Sequence, residues 1–129
     1  IMNTSSPTSA RTKWKTEFNT RLIAFSVSVL QLADQLRSNP SLWPVCDQLI
    51  RSSTSIGANI HEASGSASRR DFAHFFQIAL KSAKETDYWL TVLEQYHTES
   101  GDSTQEIKAE LLEITRIISY ALLTMKGQK

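Results

Sequence analysis

Glu94 and His97, with two residues between them, match the carboxylate–histidine spacing by which di-iron helical bundles hold metal. Such a centre needs the pair on two helices and a glutamate from each of two more. This sequence holds it once, and a solvated helix end is the competing reading. His61-Glu62 lacks the second histidine of a zinc-protease helix. Gly65-Ser66-Ala67-Ser68 carries no lysine with which to close a phosphate loop. No serine stands in a G-x-S-x-G setting, and Cys46, the single cysteine, has neither a disulfide partner nor a second thiol for zinc. The expectation is a protein with no catalytic residue, no metal and no cofactor, and therefore not an enzyme.

The strongest local feature is the turn Gly65-Ser66-Ala67-Ser68-Arg69-Arg70. It sets Ser68, Arg69 and Arg70 at a helix start, where unpaired backbone N–H groups attract anions such as phosphate. The alternative is that both arginines are solvated or pair within the hairpin. Counting back from this turn in an antiparallel hairpin puts Glu62 level with Arg70, a plausible ion pair, and Arg51 level with Ser82, about one turn from Glu85. Glu85 lies on an otherwise largely apolar stripe, where a charge needs a partner, and Arg51 is the nearest base. Asn59, near the level of His74, is a candidate for fixing packing register by hydrogen bonding.

These residues need helices to position them, and four segments have helical periodicity. In the first, roughly residues 16–37, Phe18, Leu22, Phe25, Val29, Leu32 and Leu36 alternate steps of four and three. Asn39-Pro40-Ser41 breaks it, since the residue before a proline is pushed out of helical angles. The second, roughly 44–64, opens on Pro44 and puts Val45, Leu49, Ile56, Ile60 and Ala63 on one stripe. Its interior holds the small, polar run Ser52-Ser53-Thr54-Ser55 and Gly57, and Gly65 is expected to end it in the left-handed conformation. The third, roughly 69–97, starts on the capping pair Ser68 and Asp71 and bears two stripes: Phe72, Phe76, Ala79, Ala83, Thr86, Leu90, Leu93; and Phe75, Ile78, Ser82, Glu85, Trp89, Val92, Tyr96. The fourth begins at the pair Ser103 and Glu106 and ends before Gly127.

Short connections between helices of similar length make neighbours antiparallel. The predicted fold is an all-α, antiparallel up-down-up-down four-helix bundle over residues 16–126, with a disordered tail over 1–15 and a short one over 127–129. One domain suits 129 residues with 40% apolar content. The second stripe of the third helix, with Ile23, Val27 and Leu30 on the first, leaves apolar surface outside the core, which predicts self-association. Fourteen basic against thirteen acidic side chains exclude a global field, so any basic binding surface is local. No run is long and apolar enough to span a bilayer, and the lone cysteine suits a reducing compartment. The expected location is the cytoplasm, with no membrane contact.

Two stretches resemble a known family. Gln48-Leu49-Ile50-Arg51-x-x-x-Ser55-Ile56-x-Ala58-Asn59-Ile60-x-Glu62 and Phe72-x-x-Phe75-Phe76-x-Ile78-Ala79-x-x-Ser82-x-x-Glu85 are similar to the four-helix bundle proteins encoded in the intervening sequences of bacterial 23S ribosomal RNA genes. Gly57 stands where that family usually has proline, and Gly65 falls later than its usual Ala-Glu-Gly ending. The resemblance implies a cytoplasmic homopentamer. It also implies kinship to the accessory variability protein of diversity-generating retroelements, which binds nucleic acid through a basic pentamer surface.

Residues and resemblance together lead to a non-enzymatic homo-oligomeric bundle associated with RNA or DNA. Arg69, Arg70, Ser68 and Arg51 are its candidate contacts, and Asn59, Glu62 and Glu85 its structural polar residues. The alternative is an oligomeric scaffold for a protein partner, in which the same arginines serve subunit contacts and no nucleic acid is bound.

Overall fold

The computed structural model describes residues 7–127, which form four long helices: α1 (Pro7–Gln35), α2 (Trp43–Ser64), α3 (Arg69–Tyr96) and α4 (Gly101–Gly127). Short 3-10 turns, Pro40–Leu42 and Thr98–Ser100, make two of the connections, and the described residues include no strand. Asn39 is extended at φ −111°, ψ 93°, as a residue before proline must be, and that separates α1 from α2.

Side-chain pairs fix the direction of each helix against its neighbours. On α2 and α3, Ser55 meets Ser82, Ser52 meets Thr86 and Arg51 meets Glu85, so one number rises as the other falls. Trp43 reaches the carbonyl of Arg37 while Gly57 lies against Leu22, giving the same sense for α1 and α2. Glu94 with Gln105 at one end and Arg70 beside Lys126 at the other make α3 and α4 antiparallel. Arg21 with Glu110 and Trp14 near Tyr120 do so for α1 and α4. The four helices close an up-down-up-down ring around one core.

That core is built from the expected stripes. Phe18, Leu22, Phe25, Val29 and Leu32 of α1 and Leu36 just beyond its end are all buried, as are Phe76, Ala79, Ala83, Leu90 and Leu93 of α3. The polar run of α2 is also inside: Ser52, Ser53 and, opposite them, Thr86 are buried. Their hydroxyls are satisfied locally, Ser53 donating to the Ile50 carbonyl at 3.2 Å and Thr86 to the Ser82 carbonyl at 2.8 Å. Small side chains let α2 and α3 approach closely along this seam. Gly57 does the same for α1 and α2, since a Cβ there would sit 3.4 Å from the Cβ of Leu22, and α2 runs through it unbroken.

Two helix starts and one helix cap differ from the sequence reading. Helix α1 starts at Pro7, so residues 7–15 are helical where a tail is expected; the expected tail over residues 1–6 and over 128–129 lies outside the described residues. Pro7 suits a first helical turn, and the Trp14 ring lies 5.4 Å from that of Phe18. Helix α4 begins at Gly101, directly after the 3-10 turn, so Ser103 stands inside its first turn; Gly127 is its last described residue. Gly65 ends α2 at φ −98°, ψ 1°, which is not left-handed. The helix closes instead through i→i+3 bonds from Gly65 N–H to the Glu62 carbonyl and from Ser66 N–H to the Ala63 carbonyl.

Candidate nucleic-acid interface

The α2–α3 turn is held by its own serines. Ser66 donates to the Ala63 carbonyl at 2.6 Å, and Ser68, extended at φ −127°, ψ 155°, accepts from the Asp71 N–H at 3.1 Å. This cap puts Arg69 and Arg70 in the first turn of α3, both exposed. It also occupies one of the backbone donors that could have met an anion and sets the Asp71 carboxylate in the same turn. Anion attraction at this end therefore has to come from the arginine side chains more than from the helix terminus.

The arginines face α4. Arg69 and Arg70 rim a groove of about 690 Å³ whose floor is Ala73, Leu80, Leu122 and Met125 and whose far wall carries Leu123 and Lys126. Arg70 shares a helix face with Ala73 and Gln77, turned away from the α2-facing stripe of Phe72 and Phe75. Accordingly the expected pair with Glu62 does not form: Glu62 is exposed, and no ion pair joins it to Arg70 among the described residues.

Arg51 belongs to a different place. Its Nη2 lies 3.1 Å from Glu85 Oε2 and also bonds Gln48, and Glu85 Oε2 accepts from Trp89 Nε1 at 3.1 Å. This cluster sits roughly 20 Å along α2 from the turn, from a rise of about 1.5 Å per residue, so Arg51 and the Arg69–Arg70 turn do not make one site. Asn59 donates to Ser55, to its carbonyl at 2.8 Å and its hydroxyl at 3.0 Å, and that hydroxyl accepts from Ser82 at 3.0 Å. Both Asn59 bonds stay within α2 and neither goes to His74; the bond that crosses to α3 is the one from Ser82 to Ser55. Glu94 and His97 are likewise engaged separately: Glu94 accepts from Gln105 at 2.6 Å and pairs with Lys108 at 3.4 Å, while His97 lies 3.2 Å from the Ser100 hydroxyl.

Among the described residues, two titrating groups are displaced. The Arg21 guanidinium has a raised pKa because it donates to Glu110 through two bonds of 2.6 and 2.9 Å, a fork that ties α1 to α4. Burial, with Asp47 nearby, pushes the Cys46 thiol up, away from a reactive thiolate.

Charge is distributed unevenly along the bundle. The end formed by the α2–α3 turn, the start of α1 and the close of α4 carries Lys13, Lys15, Arg69, Arg70 and Lys126 against Glu17, Glu62 and Asp71. The opposite end carries Asp34, Asp47, Glu94, Glu99, Asp102 and Glu106 against Arg37 and Lys108. Sequence reasoning missed Lys13, Trp14, Lys15 and Lys126, the first three because they fall in the expected tail. The signal available was the alternation Lys13-Trp14-Lys15, a base–aromatic–base pattern.

Helices, seam and charged ends define an antiparallel four-helix bundle with polar residues built into its α2–α3 contact. Residues 15–120 match the family described as 23S rRNA-intervening sequence protein, and the chain belongs to that family. Among solved structures it is similar to a protein of unknown function from the S23 ribosomal protein family of Bacteroides thetaiotaomicron VPI-5482. The two share 32% identity over 81% of this chain and 97% of that one, with a TM-score of 0.76. None of the curated proteins matches the chain. No helix among the described residues is long and apolar enough to cross a membrane.

Proposed function

We propose that this protein is a non-enzymatic, homo-oligomeric bundle, pentameric as the family resemblance implies, that associates with nucleic acid in the cytoplasm through its basic end. The observation carrying this reading is the segregation of charge in a chain of net charge +1. Cations gather at the end with the α2–α3 turn and carboxylates at the other. Ring assembly would set several copies of that end side by side, so a modest patch becomes a strong local field. Exposed Ile23, Val27 and Leu30 on α1, with Tyr88 and Tyr96 on α3, support self-association. The non-enzymatic reading is supported by how the polar groups are used: Arg21, Arg51, Glu85, Glu94 and Lys108 are tied in pairs that join helices.

Light scattering at micromolar concentration is expected to give a single oligomer, and fluorescence anisotropy with a labelled RNA at low salt a salt-dependent complex. Replacing Arg69 and Arg70 with alanine should weaken binding for all sequences alike and flatten the salt dependence, because phosphate contacts position a nucleic acid without reading it. A monomer, or an oligomer that binds no nucleic acid at low salt, overturns the proposal. The second outcome favours the scaffold alternative, which has one observation on its side: Arg51 is already engaged by Glu85 and Gln48.

A further inference from the structure

Trp14 and Tyr120 are large aromatic side chains left 45% and 73% exposed at the basic end of the bundle. They line one cleft of about 510 Å³, floored by Phe72, Phe76 and Ile117 and edged by Arg116. A second, smaller cavity on the other side of Trp14 shares Phe72 and Phe76 with it, so the indole stands between two openings to the end of the core. Lys13 and Lys15 flank Trp14 in sequence and are exposed, and of the two Lys15 lines the second cavity; Arg116 is the cation that lines the cleft itself, where Glu113 pairs with it at 2.9 Å, and Glu17 is the nearest carboxylate on α1.

From this arrangement we infer that the cleft is a stacking site for an unpaired base of single-stranded nucleic acid, with Lys13, Lys15 and Arg116 on its phosphates. The inference rests on the nucleic-acid reading above and names the form of the ligand. Exposed rings beside cations are the combination that single-strand binders use, since every base offers a π-face and the backbone supplies the charge. A duplex keeps its bases stacked inside and has no use for an apolar cleft. The cleft volume falls in the range of ligand sites, about 300–1,000 Å³. A second copy docked through the same end would bring like charges together, which favours an anionic occupant over self-association here.

The test uses the full-length oligomer with a fluorescein-labelled 20-nucleotide oligo(dT) and a duplex of equal length, at low salt. The single strand is expected to bind more tightly and to quench tryptophan emission. Trp14→Ala and Tyr120→Ala should each lower its affinity roughly 5- to 100-fold while leaving the salt slope unchanged. Replacing Lys13 and Lys15 with glutamine should reduce that slope by roughly 1 to 2. Tyr120→Ala guards against a folding artefact at Trp14, because the tyrosine is the more exposed of the two. Duplex binding equal to single-strand binding, or full affinity in both aromatic variants, overturns the assignment. If Arg69 and Arg70 still govern binding in that case, only the cleft falls; if the parent binds neither form, the nucleic-acid reading falls with it. A change of oligomer size in both variants identifies a second copy as the occupant and also overturns the inference.

Discussion

Replacing Thr86 with valine probes the polar seam directly, because the two side chains have nearly the same shape and differ by one hydroxyl. Thr86 is fully buried, and its Oγ1 donates to the Ser82 carbonyl at 2.8 Å and lies 3.0 Å from Ser52 Oγ. Removing it leaves no orphaned donor, since Ser52 still donates to the Leu49 carbonyl at 3.3 Å and the Ser82 carbonyl keeps its place in the helix. The cost should therefore be that of an ordinary neutral hydrogen bond, about 0.5–1.5 kcal/mol, without the larger penalty of a stranded polar group. Ser52→Ala should cost less, because Thr86 keeps its carbonyl partner and alanine is a better helix former by a few tenths of a kcal/mol.

The double variant should be no less stable than Thr86→Val alone, since the bond between the two hydroxyls can be lost only once. Urea unfolding at fixed protein concentration measures all four corners of this cycle, with concentration held constant because assembly contributes to apparent stability. Strictly additive single costs would mean that the seam hydroxyls act independently and that no bond joins Thr86 to Ser52.

Gly57→Ala is expected to stabilise by about 0.5 kcal/mol: helix propensity favours it by about 1 kcal/mol, and the new Cβ meets Leu22 at 3.4 Å, a contact that is tight but ordinary. A thermal midpoint lowered by several degrees would show that α1 cannot yield there. The Arg51–Glu85 pair, 63% and 40% exposed, should show a coupling of about 0.2–1 kcal/mol in a double-mutant cycle, and zero coupling would mean that solvent has replaced it. Cys46 should react slowly with a thiol reagent at pH 8. Its raised folded pKa contributes stability that is present below the ordinary value of 9.0 and is lost as pH rises through the folded one, so a urea midpoint that climbs above pH 9 would contradict its burial.

The stripes were readable in sequence because burial follows helical period with few exceptions: the six apolar positions expected of the first segment are all buried. The pairing of Arg51 with Glu85 was readable for a similar reason. Once a short turn fixes two antiparallel helices, their levels follow by counting, and a carboxylate on an apolar stripe has few bases in reach. The same count put Glu62 level with Arg70, yet they do not pair, because level says nothing of angular phase and Arg70 points toward α4. The start of α1 was hidden for a different reason. Residues 7–15 hold almost no apolar side chains, so periodicity has nothing to report; Trp14, the one large apolar residue among them, lies against Phe18 of the same helix and lines a cleft with Phe72 and Phe76 of α3.

The candidate site was the least legible part, since it is assembled from three distant stretches of chain. Lys13 and Lys15, Arg69 and Arg70, and Lys126 are separated by long runs of sequence and carry no common motif. In composition they vanish into a net charge of +1. An up-down-up-down topology, however, must return the start of α1, the α2–α3 turn and the close of α4 to one end. Any bias of basic residues toward those three places is thereby turned into a surface. The carboxylates Asp34, Asp47, Glu94, Glu99, Asp102 and Glu106 flank the other two connections and collect at the opposite end by the same rule. Exchanging Lys13 and Lys15 with Glu99 and Asp102 would preserve the net charge while turning the basic end from five cations against three carboxylates to three against five. If the basic end is the binding surface, that quadruple variant should lose nucleic-acid affinity and salt dependence together while keeping its helix content. Retained affinity would show that the polarity of the bundle does not direct binding.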